Sequence, residues 1–349
     1  MRVFVSAVGQ HDNVGDTVLR RPYLDALRSV GRLHVWIGAQ TDDQLGGLGL
    51  RDGDVAVRSS TAWRRDLASS AGREPFLYGF DTGETELRRP FAARYARLAP
   101  LLAANRLRGG CAVHVGVGVR AGTRWRYPIR AALRVADLVT WRDRPSRRIM
   151  GLGEVVPDWA FATGAPARRL VVAGDRPLLA IAMRASLPHA PRTEPDDAWA
   201  DRAGDLARTN GLTPVFTAQI GRDGPLAERL AARAGAEAVV WTDGDHAGME
   251  ARLRAVYRRS AAVLSDRLHG LVMGATEGAV PVVLADDPAD KSVRTLDGAG
   301  IRGTGLDPAL HRTAALPDLI QRRDEVVEAV LAARLRLDVL STRIRGAAA

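Results

Sequence analysis

The chain has 349 residues, 26% charged and 46% hydrophobic, enough apolar sequence for about two domains with their own cores. Its net charge of +10 comes from arginines scattered among 40 acidic residues, and its aromatic residues do not interleave with basic clusters; a nucleic-acid platform is excluded, although long-range attraction to anionic membranes or polyanions is not. One cysteine, Cys111, excludes a disulfide framework and a multi-cysteine metal site, and no apolar run reaches the ~18 residues of a membrane span, so the expected location is the cytoplasm, with peripheral association at the inner membrane face allowed.

Short β-branched apolar runs alternate with longer amphipathic stretches, the pattern of βα units around a parallel sheet, and the pattern occurs twice. In the first half, strands are predicted at Arg2–Val8, Leu33–Ile37, Phe76–Phe80, Cys111–Gly116 and Leu138–Trp141, with helices at Thr17–Val30, Glu84–Leu107 and Pro128–Ala136. A segment rich in Pro, Gly and Ala, Pro157–Arg176, breaks the periodicity; it sets a first domain at 1–160, a linker at 161–176 and a second domain at 177–315. In the second half, strands at Leu178–Met183, Pro214–Ala218, Ala238–Trp241, Ala261–Ser265 and Val280–Leu284 alternate with helices near Asp196–Asn210, Pro225–Ala234, Ala247–Ser260 and Leu268–Glu277. Leu316–Arg345 reads as one or two helices, and by analogy of fold alone the 316–349 segment is expected to pack back on the first domain. The fold class expected is α/β, with two Rossmann-like domains.

In such sheets ligands bind beyond the carboxyl ends of the strands, so the strand-to-helix junctions are the places to look for chemistry. QHDNVGDTVL, residues 10–19, opens the first helix: Asn13 and Gly15 shape a tight turn and Asp16 is a candidate cap or acceptor-side base, the alternative being a plain structural turn. HVGVGVRAG, residues 114–122, offers Gly116 and Gly118 for close backbone approach. Arg142 ends one strand in WRDRPS and Arg184 ends another in LLAIAMR; both are expected to face the cleft between domains. In SDRLHG, residues 265–270, Arg267 and His269 fall in the first helical turn, where two cationic side chains are locally unfavourable and a bound anion explains them better than stability does. Lys291 is the only lysine, although Lys and Arg together number 50. An arginine-rich chain keeps a lysine mainly where a compact ammonium cannot be exchanged for a planar guanidinium, against the alternative of a chance surface lysine.

The run SDRLHGLVMGATEGAVPVVLADDPADK, with its Ser-x-Arg-Leu-His core, Gly-x-Pro and downstream Lys, resembles the C-terminal signature of the polysaccharide pyruvyltransferases. NVGD and WRDRPSRRIMGLGEVVPDWAF are similar to that family's other motifs, in the same order, although the Tyr often found before the lysine is missing. The resemblance implies a GT-B-type arrangement with the active site between the domains, phosphoenolpyruvate as co-substrate with no cofactor or metal, and a cyclic pyruvate ketal placed on a saccharide or lipid-linked saccharide of a cell-wall or exopolysaccharide precursor. It implies phosphoenolpyruvate binding by Arg142, Arg184, Arg267 and Lys291, and proton transfer by His269. Two rivals share the same residues: a GT-B-type nucleotide-sugar glycosyltransferase using Arg267 and Lys291 on a diphosphate, and a non-catalytic polyanion-binding protein.

Overall fold

A computed structural model describes every residue except 121–123, 173, 188–190, 243, 286 and 288. Ala121 and Gly122 of the second glycine segment, Ala173 of the expected linker, and Asp286 and Pro288 of the run before Lys291 therefore lie outside the described residues. The chain forms two compact units: Met1–His11, Asp16–Trp159 and Arg334–Ala349 make the first, and Asp12–Gly15 with Ala160–Ala333 make the second.

In the first unit, β1 (Arg2–Ser6), α1 (Val14–Arg28), β2 (Arg32–Trp36), α2 (Asp42–Leu48), β3 (Val55–Val57), α3 (Ser60–Ala71) and β4 (Phe76–Gly79) follow one another as βα repeats. They continue with β5 (Gly83–Glu86), α4 (Arg89–Arg106), β6 (Cys111–Arg120), α5 (Arg126–Leu133), β7 (Leu138–Trp141), α6 (Arg144–Met150) and β8 (Glu154–Val155). All pairings are parallel, in the order β3-β2-β1-β4-β6-β7-β8, with β5 added to the far end of β6. The helix expected over Glu84–Leu107 is shorter: Gly83–Glu86 pairs with Val117–Arg120, and the helix begins only at Arg89. Pro90 explains the start, because a ring without an N–H fits the first turn, where that donor has no partner anyway. Strand β6 outruns its expected end because Gly116, at φ +71°, absorbs a register shift against β7 and lets the strand resume.

After a short 3-10 turn at Trp159–Ala162 come α7 (Ala167–Leu170), β9 (Leu178–Ala182), α8 (Asp197–Thr209), β10 (Thr213–Thr217), α9 (Gly224–Ala234), β11 (Glu237–Val239) and α10 (His246–Arg258). The second sheet is completed by β12 (Ser260–Ser265), α11 (Leu268–Thr276), β13 (Val280–Leu284), α12 (Lys291–Ala299) and β14 (Gly305–Leu306), in the parallel order β11-β10-β9-β12-β13-β14. Strands β9 and β13, LLAIA and VPVVL, are buried at every position, which is why they read as continuous apolar runs with no alternation. Helices α13 (Leu316–Gln321) and α14 (Arg323–Ala347) end the chain, and the last turns of α14 belong to the first unit, where Arg343 pairs with Glu154 at 2.6 Å. Both sheets are thus doubly wound and Rossmann-like, as the periodicity predicted.

Candidate functional site

Strands β9, β10, β12 and β13 are parallel, so the residues that follow them gather on one edge of the second sheet. After β12, the Ser265 hydroxyl donates to the Ala182 carbonyl at 2.5 Å and accepts from the Arg267 backbone N–H at 2.8 Å, fixing the turn from strand to helix. Arg267 takes the N-cap position of α11 without a capping side chain, and its guanidinium is buried against Asp223, which follows β10, at 2.6 Å. Asp223 also accepts from the Ala185 N–H at 3.0 Å, so it joins the ends of three strands. Burial and the neighbouring Arg184 lower the Arg267 pKa, against the pull of Asp223. Its Nε is buried with no hydrogen-bond partner. A donor left so is worth about 1–3 kcal/mol to whatever acceptor satisfies it.

Arg184 stands beside it at the end of β9. Its backbone N–H donates to Asp266 Oδ1 at 2.9 Å, its guanidinium reaches the Asp266 carbonyl at 2.8 Å, and its Nε is a second buried donor with no partner. Arg192 closes on the other oxygen of Asp266 at 2.7 Å. Three guanidiniums stand against two carboxylates at the N-terminus of a helix whose dipole adds positive potential, an arrangement whose chemistry suits an anion. A cavity of about 330 Å³ opens beside it, lined by Arg184, Arg192, Glu194, Trp199, Arg202 and Asp266 among others.

His269 lies in the first turn of α11, and the turn Asn13–Gly15 packs on it: a Cβ on Gly15 would come within 2.7 Å of His269 Nδ1. Asn13 Oδ1 accepts from the Gly15 N–H at 3.0 Å, and the Val14 N–H donates to the Gln219 carbonyl at 3.1 Å, which pins this turn within the second unit. Lys291 is the first residue of α12, after an Asp290 cap that accepts from Ser292 N at 2.7 Å. It follows β13 and so shares the sheet edge with Arg184 and Arg267.

The other candidates lie in the first unit. Arg142 is buried and engaged by Glu84 at 2.7 Å and Asp158 at 3.6 Å. Gly118 leaves room for that guanidinium, since a Cβ there would meet Arg142 Nε at 2.5 Å, and Gly116 does the same for the Trp159 ring. The close approach to these glycines is therefore made by the protein's own side chains. Asp16 accepts from the Gln10 N–H at 2.8 Å and pairs with Arg20 at 3.0 Å. Arg20 reaches on to Asp81, just past β4, at 3.6 Å. Desolvation lifts the Asp81 carboxyl to about 6, with Arg20 and Arg94 opposing. Asp81, Asp223 and Asp266 had no local signal in the sequence; each acts through partners far away along the chain.

Three solved structures with similar folds are UDP-N-acetylglucosamine 2-epimerases. A candidate enzyme of this kind from Listeria monocytogenes matches with a TM-score of 0.59 at 13% identity, over 99% of this chain and 97% of that one. The Neisseria meningitidis enzyme bound to UDP-GlcNAc gives 0.55 at 9% identity, over 97% and 99% of the two chains. The Methanocaldococcus jannaschii enzyme gives 0.50 at 8% identity, over 98% and 100%. No protein-family model and no curated protein matches the sequence. These findings overturn the expected kinship with the polysaccharide pyruvyltransferases, since the similar folds belong to sugar-nucleotide epimerases. The residues of the Ser-x-Arg-Leu run have local explanations: serine ties the turn, the arginine at the N-cap position pairs with Asp223, and Leu268 is buried. Two parallel-sheet α/β domains of the GT-B glycosyltransferase and epimerase fold are what this chain is built from.

Proposed function

We propose that the protein is an enzyme acting on a nucleoside-diphosphate sugar, and that it transfers the sugar to a saccharide acceptor. One observation carries the reading: Arg184 and Arg267 present buried, unsatisfied N–H donors beside the N-terminus of α11, an arrangement suited to a diphosphate. Lys291 and His269 stand on the same sheet edge, where an ammonium and an imidazole serve the phosphates and the departing oxygen. The fold likeness to epimerases that act on UDP-GlcNAc supports the substrate class and also favours a second reading, epimerisation of the sugar while it remains on the nucleotide.

Mass spectrometry after incubation with UDP-, ADP-, GDP- and TDP-sugars, with and without glycoside and lipid-linked saccharide acceptors, separates the two. Transfer gives a free nucleoside diphosphate and an acceptor heavier by one sugar residue. Epimerisation gives an isomeric nucleotide sugar with no acceptor present. An unchanged nucleotide sugar under every condition contradicts both.

A further inference from the structure

A second cavity, of about 420 Å³, opens in the first domain between α3 and α4. Its walls are aromatic and aliphatic: Trp36 from the end of β2, Trp63 from α3, Tyr78 from β4 and Leu98 from α4. The rings form a continuous surface, with Trp36 and Trp63 centroids 6.2 Å apart and Trp63 and Tyr78 also 6.2 Å apart. Trp63 Nε1 donates to the His34 carbonyl at 2.9 Å, whereas the Trp36 indole nitrogen is buried with no hydrogen-bond partner.

Charge is distributed on one side. Arg64, Arg94 and Arg97 line the cavity, and no carboxylate is among the described lining residues. Arg64 binds only the carbonyl and hydroxyl of Ser60, at 3.2 and 3.0 Å, and Arg97 only the Ala93 carbonyl at 3.1 Å, so neither charge is neutralised among the described residues. Arg94 lies next to the Tyr78 hydroxyl, with Asp81 beyond. Three guanidiniums at the rim of an aromatic cavity match a ligand with an apolar body and an anionic head.

We propose that this cavity binds an amphiphilic anion, its apolar body between α3 and α4 and its phosphate or carboxylate on Arg64, Arg94 and Arg97. The site is independent of the transfer reaction proposed above and requires no membrane-spanning element; no helix among the described residues is long and apolar enough to be one.

Calorimetric titration of the full chain with alkyl phosphates of increasing length, below their micellar concentrations, tests it. Affinity rises about fourfold for each methylene added until the cavity is filled. Inorganic phosphate and octyl glucoside, each lacking one half of the ligand, bind far more weakly. Arg64→Gln with Arg97→Gln, both at exposed positions, weakens alkyl phosphate binding by at least about tenfold, the contribution of one charged hydrogen bond. Leu98→Trp, which fills the space, abolishes it. Vesicles of phosphatidylglycerol compared with phosphatidylcholine identify the source: capture by the anionic vesicles that the arginine variants lose marks a bilayer lipid, and absence of capture marks a free amphiphile. Affinity that ignores chain length, or that survives both sets of substitutions unchanged, overturns the proposal.

Discussion

The side chains whose proton affinity is most altered are those moved away from water. His114 is an instructive case, since it does no chemistry: it is buried under Phe80, Tyr95 and Trp141, accepts or donates at the Tyr95 hydroxyl at 3.0 Å, and desolvation lowers its pKa to about 3. An unfolded histidine titrates near 6.5, so between about pH 6.5 and 3 the unfolded chain binds the extra proton and stability falls as the pH falls. Asp81 acts oppositely. Its folded pKa of about 6 lies above the ordinary 3.8, so the folded chain holds the proton between about pH 4 and 6, and stability falls as the pH rises. The stability of His114→Gln relative to the native protein therefore grows by ~2 kcal/mol between pH 6.5 and 4.5, read by urea unfolding at each pH. A difference that stays constant with pH shows that His114 is not neutral in the folded state. Neither group was legible in the sequence: His114 looks like any residue of an apolar strand, and Asp81 gains its partners from α1 and α4. Arg267 was legible, because a cation in the first turn of a helix conflicts with the helix dipole and asks for a reason.

Elements were legible in proportion to how much apolar surface they bury. The strands fully inside the sheets, β9 and β13, and the helices flanking them came through to within a few residues, while the short edge pieces β3, β5, β8 and β14 and the helices α2, α3 and α12, whose buried positions include Gln44, Ser70, Ser292 and Thr295, gave too little apolar signal. What holds the second domain's elements together is often an arginine binding carbonyls. Arg176 donates to Ser260 O at 3.1 Å and Glu277 O at 3.0 Å, joining the start of β12 to the end of α11, and burial together with Arg323 lowers its pKa to about 10. A lysine has the charge but not the fork. Arg176→Lys thus destabilises the protein by ~1–3 kcal/mol in denaturant unfolding, with the sheet unaltered. A change within ~0.5 kcal/mol means that the carbonyls find water instead.

On the scale of the whole chain, composition bounded the answer without choosing it. Two domains with a parallel sheet in each followed from patterning, because parallel sheets buried on both faces leave long apolar runs separated by helical periods. The reaction did not follow, because a strand-end arginine, a helix N-terminus and a nearby lysine suit any phosphorylated ligand, and a motif shared in short runs says less than the fold of the entire chain. The correction away from the polysaccharide pyruvyltransferases illustrates this: Ser265, Arg267 and Leu268 each have a local structural reason to be where they are.

If the edge of the second sheet at Arg184 and Arg267 holds the diphosphate of a sugar nucleotide, as proposed above, isothermal titration of the full chain with UDP-GlcNAc and with ADP-, GDP- and TDP-sugars detects it. At least one of them binds saturably, and binding is weakened about tenfold to a hundredfold by Arg184→Ala, as loss of a charged hydrogen bond requires, and weakened also by Arg267→Lys, which keeps a cation opposite Asp223. Binding of none of these nucleotides, or binding of equal strength in both variants, would contradict it.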